Sequence, residues 1–457
     1  MNKSSPPTIL VIIGITGDLS KRYLLPAIQK LAEAGELPSK FQILGVTRQR
    51  VDATEFLKSI GQATDFLITN LQMCTGINLA HQEDYHVLTE HLVSIEQELG
   101  AKAQRLFYLS IPPHVSQPVV ELLGTTGLSD IPNTKLLLEK PFGTDLASAK
   151  ELIEHTQRHF TEEQVYRIDH YLAKEMAQNM VVFREANPLF KRTWHGDFIE
   201  SIEIMAAESI DIEGRVNFYE QTGALRDVMQ SHILQLAALT LMDEATTAHR
   251  DISTRRLEAL RQLHLRTDQP VETQVIRGQY EGYRQEVDNP KSNIETFISV
   301  DVVSDDPRWA GVPIRLLTGK ALQTKQTQIC ITYKCDEGSE PNQLILHIQP
   351  NEGTELQLWA KAPGYEHKIQ QQTLRFAYQD HFVKLPDAYE QVILDAIHSN
   401  HSLFASSDEI IESWRILEPV LHAWGMSTRD LVTYSKGSTS DDILSAAKAT
   451  TSITSTA

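Results

Sequence analysis

A continuous apolar run, ILVII at residues 9–13, stops at Gly14 and is followed by apolar residues at helical spacing. A strand without polar alternation is typical of a parallel sheet that is covered on both faces. Three further short apolar runs alternate with helical patterns up to about residue 175, at residues 42–46, 105–111 and 134–140. This alternation predicts βαβ units around a parallel sheet, as in a Rossmann-type α/β domain.

The second half of the chain has a different pattern. Longer strand-like segments lie at residues 201–210, 295–303, 327–333 and 342–349, several without an intervening helix. Such segments favour an α+β domain with a large, mainly antiparallel sheet. We therefore expect a flexible leader (1–8), a Rossmann-type domain (9–175), an α+β domain for substrate binding and oligomerisation (176–435) and a polar tail (436–457).

The charge balance and the cysteines limit the partners. Lys and Arg total 42 against 60 Asp and Glu, a net charge of −18, which opposes binding to nucleic acid or to anionic membranes. Cys74, Cys330 and Cys335 suggest neither a disulfide framework nor a metal site, so the reducing cytoplasm is the expected location. We expect no signal peptide, and the longest apolar run is too short to span a bilayer.

Gly14 and Gly17 lie between the first strand and its helix, where glycines let a diphosphate approach backbone N–H groups. The spacing is G-x-x-G-x-x-S, with Ser20 where a third glycine is usual, so a glycine turn without a ligand remains an alternative. Arg48 follows Thr47 at the end of the second strand, where NAD-binding domains usually carry an acidic residue. A guanidinium there pairs with a 2′-phosphate, which predicts NADP, with NAD as the weaker alternative and a solvated arginine as another interpretation.

Two polar segments follow the later strands of the first half. Lys140 lies at a strand's carboxyl end, the edge at which open α/β sheets bind ligands. The segment YRIDHYLAKE (166–175) gathers several groups that bind phosphate, and His170 and Lys174, four apart, would share a helix face. A surface lysine and a solvated helix face are the alternatives.

A third polar segment is GALRDVMQSHILQL (223–236), in which His232 lies on an apolar helical stripe. It is either a satisfied core residue or a desolvated general base, since the ordinary histidine pKa of about 6.5 suits base catalysis. Asp227 is five residues earlier and would not share that face of a regular helix. We expect it at or before the helix start if both residues serve one pocket.

These segments, in this order, resemble the glucose-6-phosphate dehydrogenase family. The resemblance runs from about residue 9 to 440 and rests on these matches: GITGDLSKRYLLPAI, LEKPFGTDLASA, YRIDHYLAKE, AAESIDIEGRVNFYEQTGALRDVMQSHILQL, RWAGVPIRLLTGKALQTK, LHIQPNEG and LFASSDEIIESW.

The resemblance implies NADP-dependent oxidation of β-D-glucose 6-phosphate at C1 to the 6-phosphogluconolactone, the first step of the oxidative pentose phosphate pathway. His232 would be the general base, Asp169 would stabilise its imidazolium, and Lys140 would touch substrate and nicotinamide. The implied binding groups are His170, Tyr171 and Lys174 for the phosphate with Lys325 nearby; Glu208, Asp227 and Lys320 for the sugar; Gly14, Gly17, Asp18 and Leu19 for the diphosphate; and Arg48 for the 2′-phosphate. A homodimer or homotetramer is also implied.

The chain departs from the family pattern at several positions. Ala173 replaces a glycine in HYLGKE, Ser231 replaces the asparagine of QNH, and Ile294 replaces a threonine. Further departures, at residues 399–400, at Ser406 and in the GST tail, concern oligomer contacts or a second nucleotide site more than activity. The competing functions are an oxidoreductase of unphosphorylated sugars and a catalytically weak NADP-binding regulatory protein.

Overall fold

The computed structural model describes residues 6–243, 251–381, 385–426 and 431–454. The chain forms two compact units. The first unit comprises Met1–Gly143, Ala147–Ala173 and Pro386–Ile410, and the second comprises Thr144–Leu146, Lys174–Leu385 and Ile411–Ala457. Residues 1–5 of the expected leader and residues 455–457 of the expected tail lie outside the described residues.

The strands are numbered in chain order: β1 (Thr8–Ile13), β2 (Phe41–Thr47), β3 (Leu71–Thr75), β4 (Gln104–Leu109), β5 (Thr134–Leu138), β6 (Val165–Ile168), β7 (Ile199–Ala207), β8 (Leu263–His264), β9 (Val275–Tyr280), β10 (Phe297–Ser304), β11 (Ile314–Gly319), β12 (Gln326–Tyr333), β13 (Gln343–Gln349), β14 (Gly353–Lys361), β15 (Ile369–Ala377), β16 (Phe404–Ala405) and β17 (Leu431–Tyr434).

The α-helices are numbered likewise: α1 (Leu25–Ala34), α2 (Ala53–Ser59), α3 (Asp65–Asn70), α4 (Gln82–Leu99), α5 (Pro113–Thr125), α6 (Leu146–Gln157), α7 (Glu175–Ala186), α8 (Pro188–Thr193), α9 (Val216–Ala224), α10 (Leu234–Leu241), α11 (Ile252–Gln262), α12 (Val271–Gln274), α13 (Tyr283–Glu286), α14 (Ala388–His398), α15 (Ser407–Met426) and α16 (Ser440–Thr454). Two π-helical segments span Ser20–Leu24 and Leu225–Ile233, and short 3₁₀ turns span Glu162–Gln164, Pro307–Trp309 and Tyr378–Asp380.

The first unit contains a seven-stranded sheet in the order β16-β6-β5-β4-β1-β2-β3. All its pairs are parallel except that of β16 with β6. Every residue of β1 is buried, which explains its unbroken apolar sequence. The Rossmann-type parallel sheet predicted from the sequence is therefore confirmed.

The first unit also takes up residues 386–410, which the sequence-based division assigned to the second domain. The last turn of α14 is held by side chains of the parallel sheet. The Lys135 ammonium on β5 donates to the Ala396 carbonyl at 2.5 Å, and the Gln104 amide on β4 donates to the Ile397 carbonyl at 3.0 Å. A buried cation at the carboxyl end of a helix satisfies carbonyls that lack partners within the helix.

The second unit is built on a sheet in the order β15-β14-β13-β12-β7-β11-β10-β9-β17, with β8 pairing to β10. Its pairs are antiparallel apart from β7 with β11 and β9 with β17, so the predicted large, mainly antiparallel sheet is confirmed. The register of the central parallel pair aligns Ala207 with Gly319, so these two strands end side by side.

The expected polar tail differs from the structure. Residues 440–454 form α16, and Ile443 and Leu444 are buried in an apolar cluster that includes Phe297 and Leu317. Thr439 caps the helix, since its hydroxyl accepts from the Asp442 N–H at 3.2 Å and donates to the Asp442 carboxylate at 2.7 Å. Although the segment is mostly polar, burial of its few apolar side chains holds it as a helix against the rest of the second unit.

None of the described helices combines the length and apolar character that crossing a membrane requires.

Candidate active site

The glycine turn of the first unit is tightly packed at the carboxyl ends of β1 and β4. Gly14 has φ +89°, and a Cβ added there would lie 2.4 Å from the Ser110 carbonyl oxygen. The Ser20 hydroxyl, in place of a third glycine, donates to the Ser110 hydroxyl at 2.8 Å. Gly17 closes the turn by donating its N–H to the Gly14 carbonyl at 2.9 Å. This turn precedes a helix as a diphosphate cradle requires.

The remaining predicted cofactor residues surround this turn or lie on the adjacent strand end. Asp18 is exposed and Leu19 immediately precedes the π-helical segment Ser20–Leu24. Thr47 is buried at the end of β2 and its hydroxyl lies 3.2 Å from that of Thr16, whereas Arg48 is exposed. Because β1 and β2 are parallel neighbours, Arg48 stands at the edge of the sheet that carries the turn. An exposed cation beside a glycine turn fits a dinucleotide that carries an extra phosphate.

Lys140 and Asp169 lie at the same edge of the sheet, close to a carboxylate that sequence analysis missed. Glu139 directly follows β5 and accepts a hydrogen bond from the Tyr108 hydroxyl on β4. The pKa of Glu139 is raised to about 7, mainly by removal from water with a smaller contribution from the Asp169 carboxylate, and the Tyr108 hydrogen bond and Lys140 oppose this rise. Its only sequence signal was its position beside Lys140 at a strand end.

The segment after β6 corrects one expectation. Residues 170–174 form a turn rather than a helix, so His170 and Lys174 do not share a helix face. The Asp169 carboxylate accepts the Tyr171 N–H at 3.0 Å, and its carbonyl accepts the Leu172 N–H at 3.1 Å. Such side-chain bonds to the local backbone compete with helix formation.

Both aromatic rings of this turn pack within the first unit. The His170 ring contacts the Tyr171 ring edge-on at 5.1 Å and stacks on Tyr389 at 6.4 Å. Ala173 is buried with a backbone outside the left-handed region, so an alanine is accommodated there without backbone strain. Lys174 begins the second unit with extended backbone at the N-terminus of α7.

In the second unit, Glu208 and Lys320 directly follow the two neighbouring parallel strands β7 and β11. Their side chains form an ion pair, with the lysine almost fully buried and the glutamate partly exposed. The Lys320 ammonium also lies over the Tyr219 ring, 5.5 Å from its centroid. The pair thus offers both an acceptor and a donor at one strand edge.

Asp227 and His232 lie on the π-helical segment Leu225–Ile233, which packs against β7 and β11 and continues as α10. The expectation that Asp227 lies at or before the helix start is therefore wrong. A π-helix bonds residue i to i+5, which brings residues five apart one turn from each other. His232 is 2% exposed. Burial, together with the negative charge of Asp227, raises the pKa of the Tyr219 hydroxyl.

Two other predicted positions complete the second unit. The Ser231 hydroxyl, in place of an asparagine, donates to the Asp227 carbonyl at 3.3 Å. Lys325 is exposed on the segment between β11 and β12, and within the described part of the chain no ion pair joins it to Glu208. The structure therefore joins Glu208 and Lys320 by an ion pair, while Lys325 directly precedes Gln326, the residue of β12 that pairs with Ala207 of β7.

Comparison with known proteins shows the family of the chain. Residues 11–179 match the family model "Glucose-6-phosphate dehydrogenase, NAD binding domain", and residues 181–451 match "Glucose-6-phosphate dehydrogenase, C-terminal domain". The chain is 34% identical to glucose-6-phosphate 1-dehydrogenase of Bacillus subtilis, over 96% of this chain and 97% of that one. It is also 34% identical to the Chlamydia muridarum protein of that name, over 92% and 90% of the two chains.

A solved structure described as glucose-6-phosphate dehydrogenase in complex with its substrate glucose-6-phosphate superposes with a TM-score of 0.88. Its sequence is 28% identical, and the match covers 98% of both chains. Since the two family models match residues 11–179 and 181–451 and relatives are 34% identical, the chain belongs to the glucose-6-phosphate dehydrogenase family.

Proposed function

We propose that this protein oxidises β-D-glucose 6-phosphate at C1 to 6-phospho-D-glucono-1,5-lactone with NADP as the hydride acceptor, the first step of the oxidative pentose phosphate pathway. The observation that carries the proposal is the group of side chains in the second unit. A buried imidazole and a carboxylate one π-turn away lie on one π-helix, and a carboxylate–ammonium pair lies at the ends of the two strands against which that helix packs. Family membership supplies the substrate class.

The proposed chemistry assigns each of these groups a role. His232 in its neutral form accepts the C1 hydroxyl proton as the C1–H bond breaks, which lets the carbonyl form without a high-energy oxocarbenium. Asp169 is proposed as the carboxylate that stabilises the resulting imidazolium. Glu208 and Asp227 accept hydrogen bonds from sugar hydroxyls and Lys320 donates one, so the three fix the orientation of the ring.

The phosphate is assigned to His170, Tyr171 and Lys174, with Lys325 nearby. A dianion remote from C1 provides binding energy that positions the reacting carbon. These donors offset the charge of the dianion in a protein whose net charge is −18. An unphosphorylated sugar would need no such donors, which disfavours the related sugar oxidoreductases.

The dinucleotide is assigned to the first unit. The turn at Gly14, Gly17, Asp18 and Leu19 would hold the diphosphate, Arg48 would pair with the 2′-phosphate, and Lys140 would contact both nicotinamide and substrate. The bound nicotinamide supplies the acceptor for the C1 hydride. The exposed guanidinium of Arg48 at the end of β2 supports NADP as the cofactor. We propose NAD as the weaker alternative.

Initial-rate measurements test the function. With NADP, glucose 6-phosphate should drive reduction and glucose should not. Reduction with glucose alone would indicate a sugar oxidoreductase, and folded protein that binds NADP without turnover would indicate a regulatory role.

We further propose a cytoplasmic homodimer or homotetramer. The cysteines are all free, which agrees with a reducing compartment. Sedimentation of the purified protein tests the assembly, and a monomer at micromolar concentration would contradict it.

A further inference from the structure

Glu295 is a buried carboxylate with no assigned role in the proposed chemistry. It lies just before β10 and is 2% exposed. Its carboxylate accepts the Leu225 N–H at 2.8 Å, and its backbone carbonyl accepts the Ala224 N–H at 3.0 Å. These two amides begin the continuous helical stretch that contains Asp227 and His232.

The N-terminus of a helix leaves amides without intrahelical partners, and a carboxylate there also interacts favourably with the helix dipole. An N-cap residue normally supplies that acceptor from the adjacent sequence. Here the side chain before the π-helix, Ala224, makes no such bond, and the acceptor comes from a residue 70 positions away in the sequence. Glu295 is therefore a remote cap of this helix.

The backbone before the helix is shaped around this carboxylate. Gly223 has φ 63° and ψ −176°, a conformation that other residues rarely adopt. A Cβ added at Gly223 would lie 2.4 Å from a carboxylate oxygen of Glu295. The glycine thus provides both the sharp change of direction and the space that the remote cap occupies.

The residue after Glu295 holds the lysine of the sugar-binding group. The Thr296 carbonyl accepts the Lys320 N–H at 2.8 Å. The Tyr434 hydroxyl donates to the Lys320 carbonyl and lies 2.8 Å from the Thr296 hydroxyl, so Thr296 is the donor in that second contact. Two consecutive residues therefore fix the start of the His232 helix and the backbone of Lys320.

We propose that Glu295 is a positioning residue that acts through the backbone amides of the helix start to set the places of Asp227 and His232 relative to Lys320. The proposal rests on the proposed function. The Glu295 carboxylate accepts the Leu225 N–H, and a glutamine of the same shape keeps an oxygen that can accept this hydrogen bond. We propose this acceptor as the property on which the positioning depends.

The test compares Glu295→Ala with Glu295→Gln in the full-length protein. Small displacements of catalytic groups cost up to about 100-fold in rate, so kcat for glucose 6-phosphate oxidation should fall about 10- to 100-fold in Glu295→Ala. The KM for NADP should stay near the wild-type value. Glu295→Gln keeps an acceptor oxygen for the Leu225 N–H and should restore most of kcat.

Glu203→Ala is the matched control, because Glu203 is a partly buried carboxylate on β7 whose pKa burial raises. It should leave kcat near the wild-type value. An equal loss in Glu295→Ala and Glu203→Ala would mean a general effect on stability and would overturn the proposal. A Glu295→Gln variant as slow as Glu295→Ala would also overturn it.

Gly223→Ala tests the contact with the carboxylate. Its effect on kcat should be smaller in the Glu295→Ala background, because the overlap with the carboxylate is then gone and only backbone strain remains. Additive effects of the two substitutions would contradict the proposed contact.

Hydrogen exchange separates this proposal from the proposed function. The Leu225 amide should exchange slowly in wild-type protein and in Glu295→Gln, and faster in Glu295→Ala. That readout needs no turnover. A wild-type protein without activity that still shows this exchange pattern would therefore refute the proposed reaction while supporting Glu295 as the cap of the helix. Unchanged exchange at Leu225 in folded Glu295→Ala would refute the cap itself.

Discussion

Substitution of Gly14 by alanine is the sharpest test of the dinucleotide turn. The Cβ would lie 2.4 Å from the Ser110 carbonyl oxygen and 2.8 Å from a side-chain carbon of Ile111. Ser110 cannot yield easily, because its N–H donates to the Ile13 carbonyl at 2.9 Å within the parallel sheet. The turn must therefore move away from the strand end.

Two costs add at this position. A non-glycine residue at positive φ costs about 1–2 kcal/mol, and forcing extra atoms into a packed site costs about 1–3 kcal/mol more. Gly35, at the C-terminus of α1, also has positive φ, but a Cβ there meets no atom within 4 Å. Gly35→Ala therefore carries only the first cost, and the two variants should differ by about 1–3 kcal/mol in unfolding free energy.

The assay is urea unfolding of both variants together with NADP affinity measured by titration. Gly14→Ala should raise the NADP Kd at least about tenfold, because moving the turn away from the diphosphate needs to weaken the binding free energy by only about 1.4 kcal/mol for that change. Gly35→Ala should bind NADP like the wild type. Equal stability losses in the two variants, or an unchanged Kd in Gly14→Ala, would refute the reasoning about this turn.

Three further predictions concern chemistry, cofactor choice and pH. His232→Asn should lower kcat about 10²- to 10⁴-fold with little change in the KM for glucose 6-phosphate, and normal turnover would exclude it as the base. Arg48→Ala should raise the KM for NADP far more than that for NAD, whereas exposed Arg50→Ala should not discriminate; equal changes for both cofactors in Arg48→Ala would contradict the assignment. Burial raises the pKa of Glu139 from 4.5 to about 7, so its stabilising contribution is full below pH 4.5 and is lost as the pH rises through 7. Glu139→Gln should therefore flatten the pH dependence of the unfolding midpoint across that interval, and an unchanged slope would argue against the shift.

The sequence pattern was sufficient for β1, β2, β4 and β5 of the first unit because their signals are local. A strand buried on both faces must be apolar along its length, so β1 could be recognised, and the glycine spacing identified the turn that follows it. The helix after residue 439 also has a local sequence signal, because Thr439 and Asp442 have capping-box spacing before apolar residues. The sequence analysis gave more weight to the polar composition of this segment and therefore predicted a polar tail instead.

The geometry of the second unit could not be obtained in this way. Glu208 and Lys320 are 112 positions apart, and only the pairing of β7 with β11 brings them together. Likewise, on a helix with 3.6 residues per turn the side chains of Asp227 and His232 would point in different directions around the axis. The wider π-helical turn brings residues five apart closer to the same side. This departure from the ordinary period occurs where Glu295, from a distant part of the chain, holds the helix start.

The prediction that His170 and Lys174 share a helix face was wrong for a different reason. The spacing of His170 and Lys174 fits a helix, yet the Asp169 side chain bonds the backbone two residues ahead and closes a turn first. A pattern based on side-chain spacing does not register this competition between side chain and backbone.

Transfer of the C1 hydrogen tests the central claim most directly. Glucose 6-phosphate that carries deuterium at C1 should transfer that deuterium to the nicotinamide of NADP, because the proposed base takes only the hydroxyl proton. Mass spectrometry of the reduced cofactor should then find one deuterium per molecule, with none exchanged into water. Reduced cofactor without deuterium, or no reduced cofactor at all, would contradict the account.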